Sequence, residues 1–397
     1  MGILDLFNRT PTPAKFAKTV MQAARERGFD GPMEFDEANF RIVMGRNDFV
    51  NLHNFYRDYC QAPRAGREEV MARYSHLFVR SEIPDAFDTA RRNVLPVLRA
   101  RTFLQAARFA TLLDASVKET RFAMADFSAD ATLMLAYDTE HLTRVLGMNQ
   151  LETWGVPLEE AIAIARDNLR DLAAEQFVQI SPTLFASDWN DAYDSSRLLL
   201  ADLAHRVAGP RAVAMIPTRG RMLLSATRSK GDLLGLLQNA KAAIDQDGRR
   251  VSTLMYEFVD GQALPYLPED EEVASLLADL QRIALQEDYA EQKQLLEQVH
   301  EKQGVDVFVA SYMLYKGEDE RIFSAASWTE SVEALLPRTD RVALVRMDAG
   351  GQPQQAGIVG WEQIEAVAGH LMRPEPDTYP PRYRVGAFPE LAKLGLK

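Results

Sequence analysis

Apolar runs in this chain come mostly in adjacent pairs with a short polar turn between them. The segments 33–44, 122–137, 212–226 and 251–264 all read this way, the last through Asp260-Gly261, a strong hairpin signal. A turn of a few residues reverses a strand, whereas a parallel pair needs a crossover of about a dozen residues or more. With helical runs between the pairs, the pattern predicts an α+β fold: mostly antiparallel paired strands with helices packed on them, in two or three modules. A doubly wound parallel sheet is disfavoured, and no glycine-rich phosphate loop stands between any strand and helix.

Helices are predicted where apolar residues return every three or four positions. Residues 16–28 end on Gly28, and 49–60 and 67–78 follow. Pro157 opens a helix striped by Leu158, Ile162, Ala165, Leu169 and Leu172, with Asn168 at the edge where its amide can reach a neighbouring turn. Asp194 is expected to cap the next helix, which carries Leu199, Leu200, Leu203 and Val207, and Asp232 the one after. Residues 271–303 read as one or two helices, with a stripe at Val273, Leu276, Leu280 and Ile283 that breaks near 286–288 and resumes at Leu295 and Val299.

Beyond them come a strand over 307–315 and a short helix opened by the capping-box spacing of Ser327-Trp-Thr-Glu330 and ending at Pro337. A strand at 341–347, a Gly350-Gly351 turn, a strand at 356–359, a helix over 361–371 and a Pro-rich surface tail or strap at 373–381 complete the chain. The expected modules are an N-terminal one at 1–150, a central one at 151–268, an acidic helical connector at 269–303 and a C-terminal one at 304–397.

The formal charge of −12 argues against a dedicated nucleic-acid surface, which needs clustered Lys and Arg. Ten acids against three bases lie between Pro265 and Gln303, a solvated helix face or a landing place for a basic partner. Cys60 is the sole cysteine, so neither an internal disulfide nor a thiolate-rich zinc site is available. No run reaches the roughly 18 apolar residues of a membrane span, and no signal peptide pattern opens the chain. Gly2 lacks the Ser or Thr a myristoylation signal wants, since Leu6 stands there. The apolar start at 1–7 is expected to cap the domain edge or stay loose. These features predict a cytoplasmic protein with no stable membrane association.

Polar and ionisable residues are densest in Asp188-Trp-Asn-Asp-Ala-Tyr-Asp-Ser-Ser-Arg197. Trp154, Asn168-Leu169, Asn190-Asp-Ala-Tyr-Asp-Ser-Ser-Arg197, Pro96-Val-Leu-Arg99 and Ile216-Pro217 together resemble the YtpQ-like family of uncharacterised bacterial proteins, over roughly residues 30 to 270. The resemblance implies fold kinship and a bacterial cytoplasmic home; the family has no assigned activity to transfer. Where this chain has Gly220 the family often has an acidic residue, which weakens any site built on that carboxylate.

Asp188, Asp191 and Asp194 recur every third residue and, with Asn190, are a conceivable hard-cation set, but the spacing is not that of a calcium loop. Helix capping and an Arg197–carboxylate pair account for the same residues. Ser195 or Ser196 with His205 fails as a nucleophile–base pair, because ten residues of helix separate Ser195 from His205 by about 15 Å. His53 and Cys60, seven apart, do not touch, and His76, His141, His300 and His370 are scattered singly. Trp328 and Trp361 read as core anchors at helix starts.

With no assembled catalytic motif and no cofactor expected, the reading leans away from an enzyme. It favours an adaptor or chaperone-like module with a protein partner, the C-terminal unit presenting strand edges and an apolar groove to a peptide. The alternative is a small-ligand receptor or metal-dependent hydrolase. Its ligand site comprises Arg99, Asn168, Asn190, Asp191, Tyr193, Asp194, Ser196 and Arg197, with Arg99 meeting an anion.

Overall fold

A computed structural model of the chain describes residues 10–37, 40–44, 48–75, 83–115, 117, 119–139, 143–189, 191–317, 321–348 and 352–396. The protein is α+β, and its contacts divide it into two compact units. One draws on described residues of Met1–Leu95, Asp114–Ala123 and Leu135–Asn168; the other on Pro96–Leu113, Met124–Met134 and Leu169–Lys397.

In the first unit, Thr12 caps the helix Pro13–Glu26 by accepting from Lys15 N at 3.3 Å, and Gly28, at φ +92°, ends it as expected. Its buried face of Phe16, Ala17, Val20 and Ala24 packs with Ile42, Val50, Leu52 and Phe55. The expected hairpin is present as Glu34–Asp36 and Arg41–Met44, but a third antiparallel strand, Asp48–Asn51, occupies the predicted start of the next helix, which begins instead at His53. Pairing Arg41–Met44 on its second edge satisfies backbone groups that a helix there would leave open. A second core gathers Val94, Leu135, Leu146, Trp154, Ala161 and Ala165.

The second unit holds a six-stranded, wholly antiparallel sheet in the order 262–265, 255–259, 213–218, 221–225, 184–187, 177–181. Asp260 and Gly261 both sit at positive φ, as the tight turn requires. Leu233, Leu236, Leu237 and Ala240 of the helix Lys230–Gln246 cover this sheet. Its cap is Ser229, which accepts from Asp232 N at 3.2 Å, and not Asp232. The Asp232 carboxylate instead gathers the hydroxyls of Thr183, Thr227 and Ser229.

Residues 271–303 form one continuous helix, Glu271–Gln303, capped by Asp270 and closed by Gly304 at φ +66°. Its buried line is Val273, Leu277, Leu280, Ala284, Tyr289, Gln292, Leu296 and Val299, while Leu276 and Ile283 of the expected stripe lie outside. The line runs through the supposed break because Tyr289 and Gln292 are buried with their polar atoms bonded: Tyr289 Oη donates to Pro381 O at 2.8 Å and Gln292 Nε2 to Pro380 O at 2.8 Å.

The C-terminal part carries two four-stranded sheets, each with one parallel pair: 308–309 beside 334–335, and 325–329 beside 341–345. The apolar run at 307–315 is split into Phe308–Val309 and Met313–Lys316. No helix follows Ser327. Ile322–Thr329 is a strand, Ser331 turns the chain at φ +65°, and Ala334–Pro337 is a second strand. Glu330 N donates to Val345 O at 2.8 Å, so the amide that a capping box would use belongs to the sheet. Trp328 is therefore a strand residue, buried in the core with Trp361, which does open the helix Trp361–Ala368. Of the two readings of the Pro-rich end, the strap holds and the tail does not. Arg373–Pro374 and Arg382–Val385 pair, and buried Arg382 donates to Gln292 Oε1, Ala310 O, Leu335 O and Tyr289 O. Gly350 and Gly351 lie outside the described residues, as do residues 1–7, His76, His141 and Asn190.

Candidate functional site

The polar block begins as the strand Leu184–Ser187 ends. Asp191 Oδ1 accepts from Tyr193 N at 2.9 Å, and Ala192, at φ +67°, turns the chain through a conformation disfavoured for a residue with a Cβ. Next comes a 3-10 turn, Ser195–Leu199, and only after Leu200 an α-helix, Ala201–Ala208. Asp194 is consequently not a side-chain cap. Its φ and ψ of −49° and −51° are already helical, whereas a capping side chain reaches forward from an extended residue. Both Asp194 carboxylate oxygens are buried without a hydrogen-bond partner among the described residues. Burial pushes this carboxyl's pKa up, and the charge of Asp191 adds to the rise; the Ser187 hydroxyl, the charge of Arg197 and the Trp189 backbone offset only part.

Arg197 is fully buried and saturated on one side. Its Nη1 and Nη2 donate to Asp191 Oδ1 and Oδ2 at 2.9 and 2.6 Å, and the guanidinium lies 4.1 Å from the Trp189 ring centroid. A third bond reaches Leu172 O at 3.4 Å, just past the end of the helix Leu158–Asp171. Burial would raise the Asp191 carboxyl, but the bonds from Arg197 and from Tyr193 N outweigh it and leave the pKa below the ordinary value. This is a bidentate clamp that closes the block on itself.

Arg99 is the opposite case. It ends the buried face of the strand Val94–Ala100 and is 5% exposed, yet among the described residues its side chain makes one hydrogen bond, from Nη1 to the neighbouring Leu98 O at 2.9 Å, and no ion pair. Backbone bonds draw three other segments to it. Leu98 N donates to Ser196 Oγ at 3.1 Å, Ser195 N to Arg219 O at 3.2 Å, and Arg219 N to Arg249 O at 3.3 Å. The charges acting on Arg99 are those of Arg219, the Tyr193 phenol and Arg249; burial and the two arginines bring its pKa down to about 9. Half-buried Arg219 is lowered as well, by burial and by Arg249, with Asp247 opposing. Arg249 holds Asp247 through Nε at 2.8 Å.

Of the expected site residues, then, the fold brings Arg99, Tyr193 and Ser196 together, with Asp194 and the Asp191–Arg197 clamp in the same block. Asn168 is employed elsewhere: its amide donates to Arg91 O at 2.6 Å and Val94 O at 2.9 Å, the structural bond its place on the stripe implied. Asp188, Asp191 and Asp194 do not converge, and no group of three His, Cys, Asp or Glu among the described residues is placed to hold a metal. Ser195 Oγ is buried without a partner, and His205 packs edge-on to Phe258, so no nucleophile–base pair forms here.

Arg219 was missed, appearing in the sequence only as part of a hairpin turn. A signal exists in this acidic chain: there is no Asp or Glu from Thr89 to Leu113, with five arginines, nor from Leu203 to Gly231, with six Lys or Arg. Arg99 and Arg219 lie in these two acid-free stretches. No helix among the described residues is long and apolar enough to cross a membrane. Compared with known proteins, the chain matches no family model, no curated protein and no solved structure, which leaves the YtpQ-like resemblance resting on its motif residues and the site to be argued from its geometry.

Proposed function

We propose that this protein works by binding, and that it holds a small anionic ligand where Arg99 and Arg219 meet the 193–197 block. The observation that carries this reading is the buried Arg99 guanidinium without a counter-charge. An uncompensated buried ion costs several kcal/mol, and buried charges are ordinarily paired. An anion arriving from solution supplies the missing partner and collects charge-assisted hydrogen bonds in return. Kinship with the YtpQ-like family and a cytoplasmic home belong to the same proposal. A thermal-shift panel of nucleotides, sugar phosphates, carboxylates and inorganic anions tests it, because a ligand at about 100 times its Kd stabilises the native state by about 2.7 kcal/mol. A wild-type melting temperature that no anion raises sinks the reading, as does a rise that survives Arg99→Met.

A second reading, the adaptor, is favoured by the C-terminal sheet 313–316, 322–329, 341–347, 353–360. Phe308, Met313, Tyr315 and Ile358 are exposed around a groove of about 270 Å³ beside the edge strand Met313–Lys316. We propose an extended apolar peptide as occupant, added to that edge. Arg341, 4.2 Å from the Phe323 ring centroid, favours a peptide carrying acids, while Lys293, 5.2 Å from that of Phe308, is already engaged by Glu297. Selection from a displayed random-peptide library, followed by fluorescence polarisation, decides this. Acid-bearing apolar sequences whose binding is lost in Tyr315→Asp support it, and selected peptides indifferent to that change refute it.

A further inference from the structure

If an anion binds beside Arg99, as proposed above, the local charge balance also specifies which class of anion it is. Arg99, Arg219 and Arg249 bring three guanidinium groups into one neighbourhood, tied together by the backbone bonds from Ser195 to Arg219 and from Arg219 to Arg249. One carboxylate, Asp247, is bonded to Arg249. Among the described residues no acid acts on Arg99 itself, and Asp247 is the one acid acting on Arg219. Arg197, the other buried arginine of the block, is already matched by Asp191. The corner therefore carries two positive charges in excess. A carboxylate would cancel one of them and leave the second uncompensated beside a buried guanidinium.

Shape points the same way. Each guanidinium is a planar fork of donors suited to oxyanions; with the Arg249 fork on Asp247, the two that remain stand on separate chain segments and suit a tetrahedral group, which offers oxygens to both, better than a flat carboxylate. Arg99 comes from the end of a strand, Arg219 from a hairpin turn, and Arg249 from the segment between the helix Lys230–Gln246 and the strand Met255–Val259. The Tyr193 phenol, buried and near enough to act on Arg99, adds a polar group to the same wall. We infer that the group seated between Arg99 and Arg219 is a dianion of the phosphate-monoester class.

Calorimetric titration of the full chain with inorganic phosphate, sulfate, methyl phosphate and acetate at matched ionic strength tests this. The two inorganic dianions are expected to bind at least about tenfold tighter than acetate, since each keeps a second charge for Arg219 after the first has met Arg99, and each 1.4 kcal/mol is tenfold. Arg99→Met should abolish the binding. Gly220→Asp sets a carboxylate beside Arg219, at a position where an added Cβ meets nothing within 4 Å, and should weaken phosphate by about tenfold. If Arg99→Met does not fold, Gly220→Asp carries the test alone.

Methyl phosphate binding as tightly as phosphate or tighter supports an esterified phosphoryl group as the ligand; much weaker binding overturns the monoester in favour of the free ion. Acetate binding as well as phosphate, with both lost in the variants, overturns the dianion and leaves the anion-binding reading standing. Absence of binding by every anion, or binding untouched by both substitutions, overturns the two together.

Discussion

Arg197 and Arg99 are both buried and lie close together in the fold, yet their surroundings are opposite. Arg197 meets a bidentate carboxylate, an indole face and a carbonyl, and closes the block 172–197 on itself. Arg99 meets its neighbour's carbonyl and the like charges of Arg219 and Arg249. The first arrangement has its counter-charge without any ligand. The second stores unfavourable electrostatic energy that a ligand can release. Burial alone therefore does not mark a functional arginine; what distinguishes the two is whether the protein itself provides the counter-charge.

This contrast can be broken by substitution. Arg197→Met is expected to cost about 3 kcal/mol, near the lower end for breaking a buried pair because Asp191 keeps some contact with water. Arg99→Met in anion-free buffer is expected to cost no more than about 1 kcal/mol, since it removes an uncompensated charge together with one local bond. Urea unfolding of both variants checks the pair, and equal losses would erase the distinction between the two arginines.

Two acids of the same block sharpen it further, because their pKa values move in opposite directions. Asp194 is raised when folded, so its penalty is absent below the unfolded value of about 3.8 and grows as pH climbs through the folded pKa. Asp194→Asn should accordingly gain on the wild type by about 1 kcal/mol near neutrality and converge with it in acid. Asp191 is lowered, so its contribution is present above about 3.8 and disappears as pH falls through the folded pKa. Asp191→Asn should thus be the weaker protein near pH 7, by about 3 kcal/mol because it strands the fully buried Arg197, and should approach the wild type toward pH 2. Urea midpoints across that pH range test both signs. The smallest expected effect is on the C-terminal sheet: Tyr315→Asp, at an exposed position, should change stability by less than about 0.5 kcal/mol, so any lost peptide binding reports on the surface itself.

How far these features were readable from the sequence depended on the range of the interaction behind them. Hairpins signalled by local turn chemistry, such as Asp260-Gly261, are where the pattern put them. Asn168 bonds a neighbouring turn because its place on a helical stripe fixes its direction. Local rules misled where the sheet competed for the same atoms, as at Ser327-Trp-Thr-Glu330, whose alternating side chains serve a strand equally well. They misled again at Asp194, where a 3-10 turn replaces the first turn of an α-helix. The pairing of Arg197 was anticipated, since a carboxylate lay six residues away. The isolation of Arg99 was not, because lacking a counter-ion is a property of four segments spread from 98 to 249.

The long helix Glu271–Gln303 spans about 50 Å at 1.5 Å per residue. Val273, Leu277 and Leu280 near its start belong to the core of the six-stranded sheet, while Leu296 and Val299 near its end belong to another, with Phe109, Val307, Val309 and Leu335. Between them, Tyr289 and Gln292 help hold buried Arg382. Neither core can lose its end of the helix without stripping a wall from the same continuous hydrogen-bond ladder. Amide protons along its central turns should therefore exchange with solvent at a common slow rate, reporting one cooperative unfolding event for both cores.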